Sequence, residues 1–128
     1  MNQAPTPPLR GEVIRTTTAV DEVAVGLRNR GYIVGGVYAG DKSEFLLRVG
    51  KALRFPSWYG RNLDALWDCL TDLTAPTALI WVNWADLAID HPQDWSAIIT
   101  LLRDRVQTEP AFTLVLATEP GSEPSADL

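Results

Sequence analysis

Two stretches of this chain leave few choices of fold. Thr77-Ala78-Leu79-Ile80-Trp81-Val82-Asn83-Trp84 and Ala111-Phe112-Thr113-Leu114-Val115-Leu116-Ala117 are apolar or β-branched at nearly every position. A strand with one wet face alternates apolar with polar. A strand that reads as a continuous apolar run is covered on both faces, as in a parallel sheet between helices. A third run, Tyr32-Ile33-Val34-Gly35-Gly36-Val37-Tyr38-Ala39, also reads as a strand. Its glycine pair marks close packing or a bulge.

Helical patterns lie between these runs. Val20, Val23, Ala24 and Leu27 recur at helical spacing, with Thr18 as N-cap and Gly31 as the stop. Gly40-Asp41-Lys42-Ser43 is a turn from which Ser43 caps a helix with Phe45, Leu46, Val49, Ala52 and Leu53 on its buried stripe. Pro56 and Gly60 bound a short loop, and a helix runs from Asn62 to about Leu73. Ala85 to Ile89 form a short helix. Asp94 caps a longer one, lined by Trp95, Ile98, Ile99, Leu102 and Val106 and ended by Pro110. Three strands separated by helices predict an α/β domain with a small, mostly parallel three-stranded sheet and right-handed crossovers. The expected division is a flexible N-terminal extension over 1–18, one domain over 19–117 and a disordered tail over 118–128.

The 128 residues carry a net charge of -5, and the pI is about 4.7. Binders of nucleic acid need Lys and Arg to neutralise phosphates, so no nucleic-acid partner is expected. An acidic surface suits a basic protein partner, because opposite fields steer encounter. The single cysteine, Cys69, excludes an internal disulfide and any metal site built on several thiolates. The first residues lack the apolar core of a secretory signal, and no run approaches the ~20 apolar residues of a membrane span. A soluble, cytoplasmic protein without membrane contact is expected.

Leu53 to Leu73 is the most informative segment. With about 100° per residue, Leu63, Leu66, Leu70 and Leu73 share one face of a helix and pack on the core. Asp64, Asp68 and Asp72 are i,i+4 steps apart and form an acidic stripe beside Thr71. Trp67 lies between leucines and carboxylates. Like charges at i,i+4 weaken a helix, and a carboxylate at Asp72 faces the negative helix end. Both a solvated face and a binding surface fit that pattern. Trp67, at the edge of an apolar face, is in most such cases partly buried packing, and its functional reading is an interface anchor. One of Trp58 and Tyr59 tucks into the core, leaving the other for a partner. Asn62 is an N-cap.

Other chemistry finds no support in the pattern. His91, the only histidine, stands in an Asp90-His91-Pro92 loop without a nucleophile beside it. Cys69 projects away from the acidic stripe as a small core residue. Three carboxylates on one helix leave most positions of a metal to water. Gly35-Gly36 sits inside a strand pattern rather than in a phosphate-binding turn. No catalytic residue, cofactor or metal is expected.

Phe55-Pro56-Ser57-Trp58-Tyr59-Gly60-Arg61-Asn62-Leu63-Asp64-Ala65-Leu66-Trp67-Asp68-Cys69-Leu70-Thr71 closely resembles the signature of the barstar family, small intracellular inhibitors of a ribonuclease made by the same cell. The resemblance extends from about Tyr32 to Ala117. It implies a three-stranded parallel sheet surrounded by helices, with the helix near residue 20 as an addition. It also implies that the loop and following helix plug a nuclease active site. Asp68 would stand where substrate phosphate binds, facing the nuclease's arginine, lysine and histidine. Trp58, Asn62, Asp64, Trp67 and Thr71 match other contact positions, and Asp104 matches an acidic contact on the long helix.

The chain departs from the family at several points. The loop aromatic is Trp58 rather than tyrosine, and Arg61 adds a positive charge to the loop. Leu73 replaces an aromatic of the best-known member. Thr108 replaces a second acidic contact, unless Glu109 serves by a one-residue shift. The resemblance implies a non-enzymatic inhibitor of a basic ribonuclease or nuclease-like toxin. The alternative is an interaction module with a non-nuclease partner, using the same acidic patch. A hydrolase built on Asp64 and Asp68 lacks an oxyanion donor set and a nucleophile–base pair.

Overall fold

The computed structural model describes residues 10–118. The elements run β1 (Val13–Thr16), α1 (Val20–Asn29), β2 (Ile33–Tyr38), α2 (Lys42–Ala52), α3 (Leu63–Thr71), β3 (Thr77–Val82), α4 (Trp84–Asp90), α5 (Pro92–Val106) and β4 (Phe112–Ala117). All strand pairs are parallel, in the order β1-β4-β3-β2. β3 and β4 are therefore central, and α1 crosses the sheet from one edge to the other.

The two central strands account for the continuous apolar runs. Every β4 residue and all of β3 but Val82 are buried. Leu79 and Trp81, with Phe112, Leu114 and Leu116, face a core built with α2, α3, α4 and α5. Ala78, Ile80, Val115 and Ala117 face the opposite side, where Leu27, Val20, Val23 and Ala24 of α1 cover them. Alternate side chains point to opposite faces, so helices on both sides require apolar residues at successive positions. Two hydrogen bonds match polar atoms inside, while the buried Asn83 Oδ1 has no partner among the described residues. The Trp81 Nε1 donates to the Ala39 carbonyl at 2.9 Å, and the Tyr32 and Thr113 hydroxyls are 2.8 Å apart.

The sheet has four strands rather than three. Part of the stretch expected as a flexible extension is β1, whose partners are Val13↔Leu114 through Thr16↔Ala117. This edge strand has only four residues and a half-exposed pattern, so it lacks the apolar signature of β3 and β4. Gly11 lies against β4, and a Cβ there would fall 1.8 Å from the Phe112 carbonyl oxygen. Arg15 stacks over the Trp84 ring at 4.8 Å and ties β1 to α4. The expectations for residues 1–9 and 119–128 lie outside the described residues.

Several caps also differ. α1 starts after Ala19 without a side-chain cap, which leaves Thr18 one residue before the cap position, its amide donating to Thr16 Oγ1 at 3.0 Å. Gly31 ends the helix with φ 96°, the left-handed geometry glycine adopts most readily. Asp41 rather than Ser43 caps α2, accepting the Glu44 amide at 2.8 Å. Trp84 belongs to α4, since Asn83 breaks the strand in the left-handed region at φ 54°. α5 begins at Pro92, which needs no amide partner at a first position, so Asp94 lies in the first turn.

Gly11→Ala is expected to detach β1 while the remaining sheet stays folded. Hydrogen exchange checks this. The Leu114 and Thr118 amides, bonded to the Glu12 and Thr16 carbonyls, should lose protection, and the β2–β3 amides should keep it.

Candidate functional site

The route from α2 to α3 is held by one aromatic. Tyr59 packs edge-on against Phe55 with ring centroids 5.0 Å apart, and its hydroxyl donates to the Leu46 carbonyl at 2.9 Å. Its ring lies over Gly50, where a Cβ would come within 2.7 Å. Backbone bonds from Phe55 to Gly50 and from Tyr59 to Pro56 close the loop. Arg54 and Arg61 take φ 57° and 54°, a region that disfavours side chains other than those of Asn and Asp. Tyr59 is thus the loop aromatic that tucks inward. Trp58 points out and is 59% exposed.

α3 starts where Asn62 Oδ1 accepts the Ala65 amide at 2.8 Å. Leu66, Cys69 and Leu70 are buried, while Leu63, Trp67 and Leu73 are half-buried. Burying one face leaves Asp64, Asp68, Thr71 and Asp72 outside. Burial, with Asp72 and then Asp68, pushes the Cys69 thiol above its usual pKa, so it stays protonated and unreactive.

α5 supplies the opposing wall. Leu63, Asp64, Trp67 and Asp68 of α3 and Ala97, Thr100, Leu101 and Asp104 of α5 line an open cleft of about 440 Å³. Asp64, Asp68 and Asp104 therefore meet around the Trp67 indole, although Asp104 lies 36 positions beyond Asp68 in the sequence. Among the described residues the ion pair within 4.0 Å is Glu44–Arg48, so none of their cations pairs with the three carboxylates. Asn62 and Thr71 flank the cleft without lining it. Asn62 is engaged as the cap, and the Thr71 hydroxyl donates to the Asp68 carbonyl at 3.0 Å. Trp58 stands apart on the loop and Asp72 past the end of the helix.

Sequence reasoning missed Ala97, Thr100 and Leu101. Positions 97, 100, 101 and 104 form one stripe of α5 at helical spacing, which was a readable signal. Only the packing of α3 on α5 turns that stripe into a wall. Among the described residues no group of three His, Cys, Asp or Glu could hold a metal ion. His91 is exposed, and its side chain makes no capping bond. No helix of the described residues is long and apolar enough to cross a membrane.

The Tyr59 phenol is pushed from 10.0 to about 12, chiefly by burial and then by Cys69, with Arg61 opposing. Below pH 10 the folded and unfolded chains both keep this proton. Between pH 10 and about 12 the unfolded chain releases it first, so stability falls as pH rises. Tyr59→Phe should flatten that part of the alkaline stability curve, measured by denaturant unfolding at stepped pH.

Residues 33–117 match the family described as Barstar (barnase inhibitor). A curated relative, "Putative ribonuclease inhibitor YrdF" of Bacillus subtilis (strain 168), is 58% identical over 33 residues. That segment is 25% of this chain and 36% of the relative, so the match spans about a third of the relative's length. The family match runs from β2 through β4 and contains both walls of the cleft, while β1 and α1 precede it. Because that match covers about two thirds of its length, this chain belongs to the Barstar (barnase inhibitor) family.

Proposed function

We propose that this chain is a non-enzymatic inhibitor that inserts its loop and acidic cleft into the cationic active site of a small basic ribonuclease or nuclease toxin. One observation carries the reading. Asp64, Asp68 and Asp104 converge from two helices on an open cleft beside Trp67, with no cation among the described residues paired to them. A nuclease site must hold phosphate with positive groups, and a carboxylate cluster competes for those groups. Trp67 supplies the apolar contact that excludes water from the charge pairs, which strengthens them. Trp58, Asn62 and Thr71 complete the contact surface along the loop and the helix. The family match and the ribonuclease inhibitor named above support the same partner class.

Arg61 favours a target with an acidic group at the rim of its site. It is exposed, next to the cap of α3, and held in a left-handed conformation. A like charge there would repel a uniformly basic surface. The preferred ribonuclease is therefore one whose basic site is bordered by a carboxylate. The same feature is the specific ground for the alternative, a module whose partner is not a nuclease.

The test is inhibition of RNA cleavage by barnase and a panel of other small basic ribonucleases, titrated with the purified chain. One-to-one loss of activity with at least one of them is expected, weakening with added salt. Asp68→Ala should weaken inhibition at least about thirtyfold, from the general cost of truncating one partner of a buried charge pair (about 2–5 kcal/mol), for which this family's own complex is a reference case. Full potency of that variant would remove the carboxylate plug. Activity of every ribonuclease left intact by the parent chain would favour the alternative, and RNA cleavage by the chain alone would overturn its non-enzymatic assignment.

A further inference from the structure

α3 poses an electrostatic problem that its own residues leave open. It carries Asp64 and Asp68, is followed by Asp72 at its C-cap, and has no basic residue in its last turn. A helix C-terminus is the negative end of the macrodipole, where a carboxylate is disfavoured and a cation favoured. The cation comes from α5. Arg105 is fully buried, at 0% exposure. Its Nε donates to the Leu70 carbonyl, in the last turn of α3, at 2.8 Å. Its Nη1 donates to the Thr108 carbonyl and hydroxyl, each at 3.0 Å, and that hydroxyl donates back to the Arg105 carbonyl at 3.0 Å. The guanidinium carbon lies 5.6 Å from the centroid of the Phe112 ring.

Among the described residues no carboxylate lies within 4.0 Å of this guanidinium. Burial lowers its pKa, yet an arginine keeps its proton at neutral pH. A charged group buried without a counter-ion is costly, and an apolar residue would fill the space more cheaply. What the charge obtains in return is the carbonyl-rich ends of two helices. It bridges the C-terminal turn of α3 to the turn that closes α5. Thr108, which stands where the family carries an acidic contact, has its hydroxyl committed to this arrangement.

We propose that Arg105 is a positioning residue for the acidic cleft: by pinning the end of α3 to the end of α5, it sets the spacing between Asp64 and Asp68 on one wall and Asp104 on the other. Asp104 and Arg105 are neighbours on α5, about 100° apart around the helix, so one faces the cleft while the other enters the core. The location of the charge matters as much as its sign. A surface base beside the aspartates at the C-terminal turn of α3 would compete with the partner for them. A base under the helix end relieves the macrodipole and leaves the carboxylates unpaired. The inference rests on the cleft being the partner-binding surface.

Arg105→Met keeps much of the stem and removes the donors. Arg105→Lys keeps the charge without the fork that reaches two acceptors. The first measurement needs no partner. In a Cys69→Ala background, nitroxide labels on Asp72→Cys and Arg103→Cys report the spacing of α3 and α5. Arg105→Met should shift or broaden that distance, with a smaller change for Arg105→Lys. An unchanged distribution in a folded variant overturns the proposal. The second measurement is affinity for barnase, or for the ribonuclease of the panel that the parent inhibits best. Arg105→Met should weaken binding at least tenfold in the parent and by much less beside Asp68→Ala, because the misplaced carboxylate is then already gone. An equal loss in both backgrounds would mean a general effect on folding and would overturn the positioning role. If Arg105→Met does not fold, Arg105→Lys carries both measurements. If the parent inhibits no ribonuclease, the functional reading fails by itself, and the label distances still decide the role of Arg105.

Discussion

The whole arrangement depends on β3 and β4 being buried on both faces. Their side chains are apolar at successive positions, so neither face can be left to water. Parallel pairing then forces each connection to cross over, which places helices above and below the sheet. α1 covers one side through Leu27, Val20 and Val23, and the remaining helices cover the other. α3 and α5 belong to that second layer. Their contact is a consequence of having to cover the same strands.

The cleft is what remains when two amphipathic helices meet over a shared core. Leu66 and Leu70 of α3, and Ile98 and Leu102 of α5, are buried together. Their opposite edges, Asp64, Asp68 and Asp104, are left facing water and one another. Departures from local preference gather around this corner. Arg54 and Arg61 are in left-handed backbone, acids run to the negative end of α3, and Arg105 is buried with no carboxylate of the described residues within 4.0 Å. Sequences that violate local rules do so most often at functional sites, where neighbouring structure compensates. Here Tyr59 anchors the loop and Arg105 the helix end.

Much of this was readable in advance because it rests on periodicity. The β2, β3 and β4 runs, the leucine face of α3 and the Asn62 cap follow from spacing and residue chemistry. β1 escaped because four half-exposed edge residues carry almost no apolar signal, and the paired backbone that makes them a strand belongs to β4. The Thr18 and Ser43 caps failed for a related reason. Several adjacent residues could cap each helix, and the winner depends on where the preceding element ends. The assignment of Tyr59 inward and Trp58 outward turned on a gap above Gly50, invisible until α2 is in place.

By itself the sequence determined a doubly covered parallel α/β domain and an acidic, aromatic-edged helix behind a short loop. Those properties are local: each is a repeat of residue type at a fixed spacing, and spacing dictates which face a side chain occupies. Only tertiary structure decided that Asp104 joins Asp64 and Asp68, that α5 supplies half the cleft, and that Arg105 reaches the end of α3. Each of these joins residues dozens of positions apart, and their meeting is set by how two helices pack over the same strands.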